Sequence, residues 1–327
     1  MEKLMSEAHK RNRNPKYKKS YKNENRDWSQ YDRSLRNRGD ITLWVSEEAV
    51  EAWVSKPNGK PGRQRMYSEI AIETVLTLRL LFHLPLRQAE GFVGSIIALM
   101  GLDLSTPDHT TLSRRSKTLK PLVNARINPE KPLHVIVDST GLSIHGEGPW
   151  SRHKHGKKRR RGWRKLHIMV DQDGQILSVS LTDETTKDAN EIPRLLKDID
   201  GPICSFTADG AYDEQPVYQA VLGHSKDASI VIPPRTNAVG SATGKDEWIQ
   251  RDNHIHKIRR DGIYSWRRES GYYRQSTGEN GFYRYQTIIG RKLRARDDSA
   301  RLVEVILGCK ILNRCLDLGR SESVRVE

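Results

Sequence analysis

A mixed α/β sheet with flanking helices, preceded by a separate helical region, is the fold this sequence predicts. Two observations predict it. From Pro132 onward, five short β-branched runs bounded by turn residues follow one another: HVIVD, KLHIMVD, ILSVSLTD, CSFTAD and SIVIPPR. Upstream, from Ile41 to about Leu119, the apolar residues recur at helical spacing instead.

Residues 1–40 are rich in Lys, Arg and Asn and lack apolar periodicity, which reads as a basic, disordered arm that orders on a partner. The arm has no apolar stretch of the kind a secretion signal needs. Region 41–125 opens with SEEAVEAWV, where Ser46 is placed to cap a helix carrying Ala49, Val50, Trp53 and Val54 on one face. The apolar stretch Tyr67 to Phe82 and, after Pro85, Leu86 to Met100 predict two more helices. In GLDLSTPDHTTLSRRSKTL, Gly101 ends a helix and Pro107 or Asp108 opens another. Its exposed side offers Thr110, Arg114, Arg115 and Lys117. This order is compatible with a helix-turn-helix reader of a DNA major groove, and equally with a surface helix whose charges are solvated.

Region 130–320 holds the strands. Between the third and fourth runs lies DANEIPRLLKDI, with Asp188 and Glu191 at capping-box spacing and Ile192, Leu195, Leu196 and Ile199 as an apolar stripe. DEQPVYQAVLG predicts the helix before the last strand, and the apolar tail from Asp297 to Leu318 predicts one more. Three strands, helix, strand, helix, strand is the order of a ribonuclease H-type sheet. Residues 235–270 show little periodicity and read as an irregular insertion.

The 327-residue chain carries a formal charge of +15, which points to a polyanionic partner. Arg79, His83 and Arg87 interrupt the longest apolar stretch, so no membrane span is expected. Cys204, Cys309 and Cys315 lack metal-ligand spacing and read as reduced residues of a cytoplasmic protein, nucleoid-associated when bound to DNA.

Three acids are singled out. Asp138 and Asp209 close β-rich runs, and Glu279 lies in the helix-like YYRQSTGENGFYRYQ. Carboxylates brought together by the fold suit a pair of Mg²⁺ ions, or Mn²⁺ in their place, acting on a phosphodiester. Asp171, Asp183 and Asp213 have similar local contexts, and a lone Asp at a strand end is by default a turn or cap residue. The neighbours DSTGL and DGAYD set Asp138 and Asp209 apart. The run SRHKHGKKRRRGWRK, including Lys157, Lys158, Arg159, Arg160 and Arg161, is dense in positive charge and suits contact with DNA phosphates. Trp163, Trp248 and Trp266 could stack on an unpaired base, with core packing as the default.

Taken together, YDRSLRNRGDITLWV, PDHTTLSRRSK, VDSTGLSIHGEGPW, RRGWRKLHIMVD, TADGAYD and the Glu279 segment resemble DDE transposases of the insertion-sequence type, nearest in pattern to the IS-five group. The resemblance runs from about Tyr31 to the carboxyl end. It implies a catalytic triad of Asp138, Asp209 and Glu279, a divalent metal, double-stranded DNA as substrate, and two subunits pairing two transposon ends. The family surrounds its glutamate with a tyrosine, an arginine and a lysine. Here those positions hold Tyr272, Gln275 and Gln286, so the arginine and the lysine are both replaced by glutamine. The resemblance makes all three expected DNA contacts. Two alternatives follow: a nuclease that cuts without joining, or a transposase-derived DNA-binding protein with weakened catalysis.

Overall fold

The computed structural model describes residues 28–57, 59, 61–62, 64–123, 125–127, 130–145, 162–241 and 246–319. It divides into two compact units, a small one of Met1–Asp40 with Cys315–Glu327 and a large one of Ile41–Arg314. In the small unit, helix α1 (Trp28–Asn37) is followed by Arg38, whose guanidinium donates to the Gly319 carbonyl at 2.7 Å. Within the large unit the chain runs from a helical layer into a sheet.

The helical layer comprises α2 (Glu47–Glu51), α3 (Glu69–Leu81), α4 (Leu86–Leu99) and α5 (His109–Arg115). Ser46 caps α2 by accepting from the Ala49 amide, as its position predicts, and Ser68 caps α3 in the same way. Asp108 caps α5, accepting the amides of Thr110 and Thr111. The three longer helices close on Ile72, Leu78, Val93, Ile96 and Leu112, all buried. Each such side chain contributes about 1.5–3 kcal/mol. The connection Met100–Asp108 is pinned by Trp53, which donates to the Ser105 carbonyl, and by Tyr67, which donates to that of Thr106. It is longer than the turn of about 3–4 residues in a helix-turn-helix, so that tight geometry is not formed.

The sheet has the order β3-β2-β1-β4-β5, with β6 also paired to β1. Its strands are β1 (Leu133–Ile144), β2 (Trp163–Val170), β3 (Ile176–Asp183), β4 (Ile203–Thr207), β5 (Ser229–Val231) and β6 (Lys292–Leu293). β1, β2 and β3 pair antiparallel, while β4 runs parallel to β1 and β5 parallel to β4. Helices α6 (Ile192–Leu196) and α7 (Gln215–His224) bury Ile192, Leu195, Val217 and Val221 with Val135, Val137, Phe206 and Ile230. Helix α9 (Gln275–Ile288), which follows a 3-10 turn at Tyr272–Arg274, lies on β1 and β2 through two glycines. A Cβ on Gly281 would come within 3.2 Å of Ile168. Helix α10 (Asp298–Asp317) ends the described chain. No helix among the described residues is long and apolar enough to cross a membrane.

Three expectations are corrected. Asp138 does not end its strand: β1 continues to Ile144 because β2 pairs with it across DSTGLS, which reads locally as a turn. Asp188 and Glu191 form no capping box. Residues Asp188–Glu191 make a 3-10 turn, and both carboxylates reach across to the sheet, Glu191 accepting from Ser180 and Asp188 from Ser139.

The segment read as an irregular insertion is instead largely helix α8 (Asp246–Glu269), kinked where Gly262 takes a φ of 82°. Its anchors are polar, so an apolar period never shows. Gln250 accepts the Ile230 amide and donates to the Ala228 carbonyl, and His254 donates to the Ile230 carbonyl. α8 thereby satisfies the free edge of β5, which would otherwise invite pairing with another chain. Trp266 is buried and donates to the other nitrogen of His254, and Trp248 packs on Tyr218, so both serve packing.

Candidate active site

Asp138 and Asp209 meet through strand register. Ile136 on β1 pairs with Thr207, the last residue of parallel β4, so Asp138 on β1 and Asp209, two residues past the end of β4, come near enough for the charge of Asp209 to act on Asp138. Asp209 caps the 3-10 turn Gly210–Tyr212, accepting the Ala211 amide at 2.9 Å, and Asp138 accepts the Ser139 amide at 2.8 Å. Glu279 arrives on α9. Its neighbour Gly278 touches β1 so closely that a Cβ there would lie 3.4 Å from the Asp138 Cβ and 3.3 Å from Ile136. Glu279 itself is exposed.

No lysine or arginine among the described residues forms an ion pair with Asp138, Asp209 or Glu279. Burial therefore dominates, and with the like charges of Asp209, Glu279 and Asp188 it pushes the Asp138 carboxyl up to about 6, against the pull of the Ser139 amide. Asp209 is raised for the same reasons, burial first and then Asp188, against the Ala211 amide. The rival aspartates are spoken for. Asp171 accepts the amides of Asp173 and Gln175 in the β2–β3 turn. Hydrogen bonds from Thr185 and Thr186 lower Asp183 to about 2. Asp213 is buried in an ion pair with Arg251 at 2.7 Å.

A fourth acid, Asp188, joins the cluster without having been foreseen as a site residue. Its carboxylate accepts from Ser139 Oγ at 3.1 Å and from Lys165 Nζ at 3.0 Å. Tyr212 and Tyr272 border the same acids. The Tyr212 hydroxyl is buried beside Ser139 without closing a hydrogen bond. Burial, with Asp188, Asp138 and Asp209 nearby, pushes its ionisation far up. Tyr272 is raised by burial and by Asp209, Glu279 and Asp138. Both phenols are therefore neutral donors. The signal for Asp188 lay in β2, where Lys165 and His167 share one face of an otherwise apolar strand, marking a polar pocket beneath it.

Two family models, each described as Transposase DDE domain, match residues 36–147 and 129–313. The chain is a DDE transposase of the insertion-sequence type. The second match spans more than half of the chain and contains Asp138, Asp209 and Glu279.

In this transposase no group of three or more His, Cys, Asp or Glu side chains among the described residues is gathered closely enough to hold a metal ion. Asp138 and Asp209 are brought together, and Glu279 stands at the rim. The glutamines that replace the family's cations bracket Asp138 along β1. Gln275 donates to the Val137 carbonyl at 3.1 Å and Gln286 to Thr140 Oγ1 at 3.4 Å. Gln275 is buried, its side chain turned into the sheet. The Arg115 guanidinium is folded inward and donates to the Tyr67 carbonyl at 2.9 Å. Thr110 and Arg114 are exposed on α5, the Thr110 hydroxyl bound to Asp108 and Arg114 folded along its own helix. Lys117 pairs with Asp297 at 3.3 Å. Lys157, Lys158, Arg159, Arg160 and Arg161 lie outside the described residues.

Proposed function

We propose that Asp138, Asp209 and Glu279 are the catalytic acids of this transposase and bind Mg²⁺, with Mn²⁺ able to replace it. The observation that carries this reading is a pair of neighbouring carboxylates, partly buried, with no cation among the described residues paired to them. The donor set fits a hard dication: it is all oxygen, and the orphaned Tyr212 hydroxyl adds a polar group beside it. When bound, such an ion would supply polarisation of an attacking oxygen and relief of charge at the phosphate.

The chain's own groups do the rest. Gly278 lets α9 approach β1 and fixes the backbone that carries Glu279. Asp188, held by Lys165, grips Ser139 and so orients the peptide that binds Asp138. The neutral hydroxyl of Tyr272 donates to a phosphate oxygen or water, while the buried Tyr212 hydroxyl stays beneath the acids. The sheet order supports the reading of this region as a ribonuclease H-like catalytic domain. The reaction is hydrolysis of a phosphodiester at a transposon end, followed by attack of the freed 3′-hydroxyl on target DNA. Each step exchanges one bond to phosphorus for another, so neither needs an external energy source. The helical layer grips the terminal repeats, two subunits pair two ends, and the protein works in the cytoplasm on nucleoid DNA.

Alanine at position 209 should abolish metal-dependent cleavage of DNA carrying the repeats that flank the coding region, while end binding persists; retained cleavage would overturn the assignment. A strand-transfer assay on pre-cut ends separates joining from cutting alone. A second reading, a DNA-binding protein with weakened catalysis, is favoured by Gln275 and Gln286. If it holds, Gln275→Arg with Gln286→Lys raises cleavage from a negligible baseline.

A further inference from the structure

A cavity of about 1060 Å³ lies away from the acids, between α3 and the segment that runs from Ile289 into α10. Its wall carries six cations, Arg79, Lys117, Arg291, Lys292, Arg294 and Arg296, against two acids, Asp297 and Glu304. Four of the six, Arg291, Lys292, Arg294 and Arg296, form no ion pair among the described residues, while Asp297 offsets Lys117 and Glu304 offsets Arg79. Glu304 spends both oxygens on the amides of Arg294 and Ala295, and Asp297 is taken by Lys117. Arg79 is largely buried and its Nε has no partner; burial disfavours its charge, Glu304 favours it, and Arg294 opposes it more weakly than Glu304 supports it.

His83 stands on the same wall in a left-handed conformation, φ 55°, the only non-glycine with positive φ among the described residues. It ends α3 where glycine is the ordinary choice. Leu84 completes the helix end by donating to the Arg79 carbonyl. Cations without an ion-pair partner and a strained backbone at His83 converge on one place.

The cavity's position is set by the strand that carries Asp138. Lys292 and Leu293 of β6 pair with Ser143 and Ile144 of β1, and the Ser143 amide donates to the Arg291 carbonyl. Five residues of strand separate Asp138 from Ser143, about 17 Å. Along duplex DNA that is about five base-pair steps. No Phe, Tyr or Trp among the described residues lines the cavity, so they offer no platform for stacking a base. Its floor is aliphatic, built from Leu76, Leu80, Val303 and Leu307, beneath an exposed basic rim of Arg291, Lys292 and Arg296.

We propose that this cavity is a backbone track that takes the phosphodiesters of a DNA strand about half a helical turn from the acids. The proposal rests on the reading of those acids as the reaction centre only for what the track leads to. Arg291, Lys292 and Arg296 hold phosphates at the rim, Arg294 and Arg79 hold one deeper, and the aliphatic floor receives deoxyribose edges.

The test is binding of the full chain to a labelled duplex of arbitrary sequence, by fluorescence anisotropy across a salt series. Lys292→Gln combined with Arg296→Gln should lower affinity at least about tenfold and flatten the slope of log K against log salt by about 2, since each phosphate contact contributes roughly 0.9. Lys292→Arg combined with Arg296→Lys should restore both. Unchanged affinity and slope in the glutamine variant would overturn the proposal and leave an acidic protein segment as the occupant. Thermal protection by inorganic pyrophosphate, again with unchanged DNA affinity, would overturn it in favour of a small phosphorylated ligand. A separate arm keeps the two readings apart. The glutamine variant should retain the Mg²⁺-dependent rise in melting temperature, whereas Asp138→Asn should lose that rise and keep its DNA affinity.

Discussion

Gly278 rests directly on Asp138. A methyl group added at Gly278 would meet the Asp138 Cβ at 3.4 Å and Ile136 Cγ2 at 3.3 Å, so the helix that carries Glu279 is gauged by the absence of a side chain. Gly278→Ala gains up to about 1 kcal/mol of helix propensity and spends it on displacing α9 by a few tenths of an ångström. The expected result is a melting temperature within a few degrees of the parent with metal-dependent cleavage reduced at least tenfold. Gly278→Val should also lower stability, by about 1–3 kcal/mol in urea.

The raised protonation of Asp138 has a definite sign. Between the usual carboxylate value of 3.8 and about 6 the folded chain binds more protons than the unfolded one, so stability falls as pH rises through that window. Above it the penalty is on the order of 3 kcal/mol. Without metal, Asp138→Asn should therefore melt higher than the parent at pH 7.5 and show little difference at pH 3.5. Mg²⁺ should stabilise the parent by mass action and leave the variant almost unmoved. Differential scanning fluorimetry across pH reads both effects.

Asp188 is held by Lys165 and accepts from Ser139, the residue whose amide binds Asp138, so the proposed role of this pair is to position that acid. Asp188→Asn or Lys165→Met should lower metal affinity or cleavage about 10–100-fold, as is usual when an outer hydrogen-bond partner is lost. DNA affinity should be unchanged. Lys165→Arg should recover part of the loss, and a shift in the metal titration midpoint distinguishes positioning from simple unfolding.

The ion pair of Arg251 with Asp213 serves the scaffold. The Asp213 side chain is fully buried and also accepts the Arg235 amide. Arg251→Met leaves that charge uncompensated and should destabilise the chain by about 3–5 kcal/mol in urea unfolding. Cleavage per folded molecule should not change.

How far the fold could be read from sequence follows the kind of force that holds each part. The strands, the stripe of Ile192, Leu195, Leu196 and Ile199, and the caps at Ser46 and Asp108 were legible because local pattern and tertiary packing agree there. Helix α8 was not, because Gln250 and His254 bind a sheet edge with polar atoms that leave no apolar period. The meeting of Asp138 with Asp209 depends on β1–β4 register, and the approach of Glu279 on the absence of side chains at Gly278 and Gly281, neither of which a local pattern shows. Asp188 was misread as a cap because its partner, Ser139, is far away in the chain.

The most direct test of the central claim is anomalous scattering from Mn²⁺ in crystals of the chain bound to DNA. The account predicts a peak between Asp138 and Asp209 with a Glu279 oxygen among its ligands, at about 2.1 Å. A peak elsewhere, or one that Glu279 does not reach with the substrate in place, would contradict it.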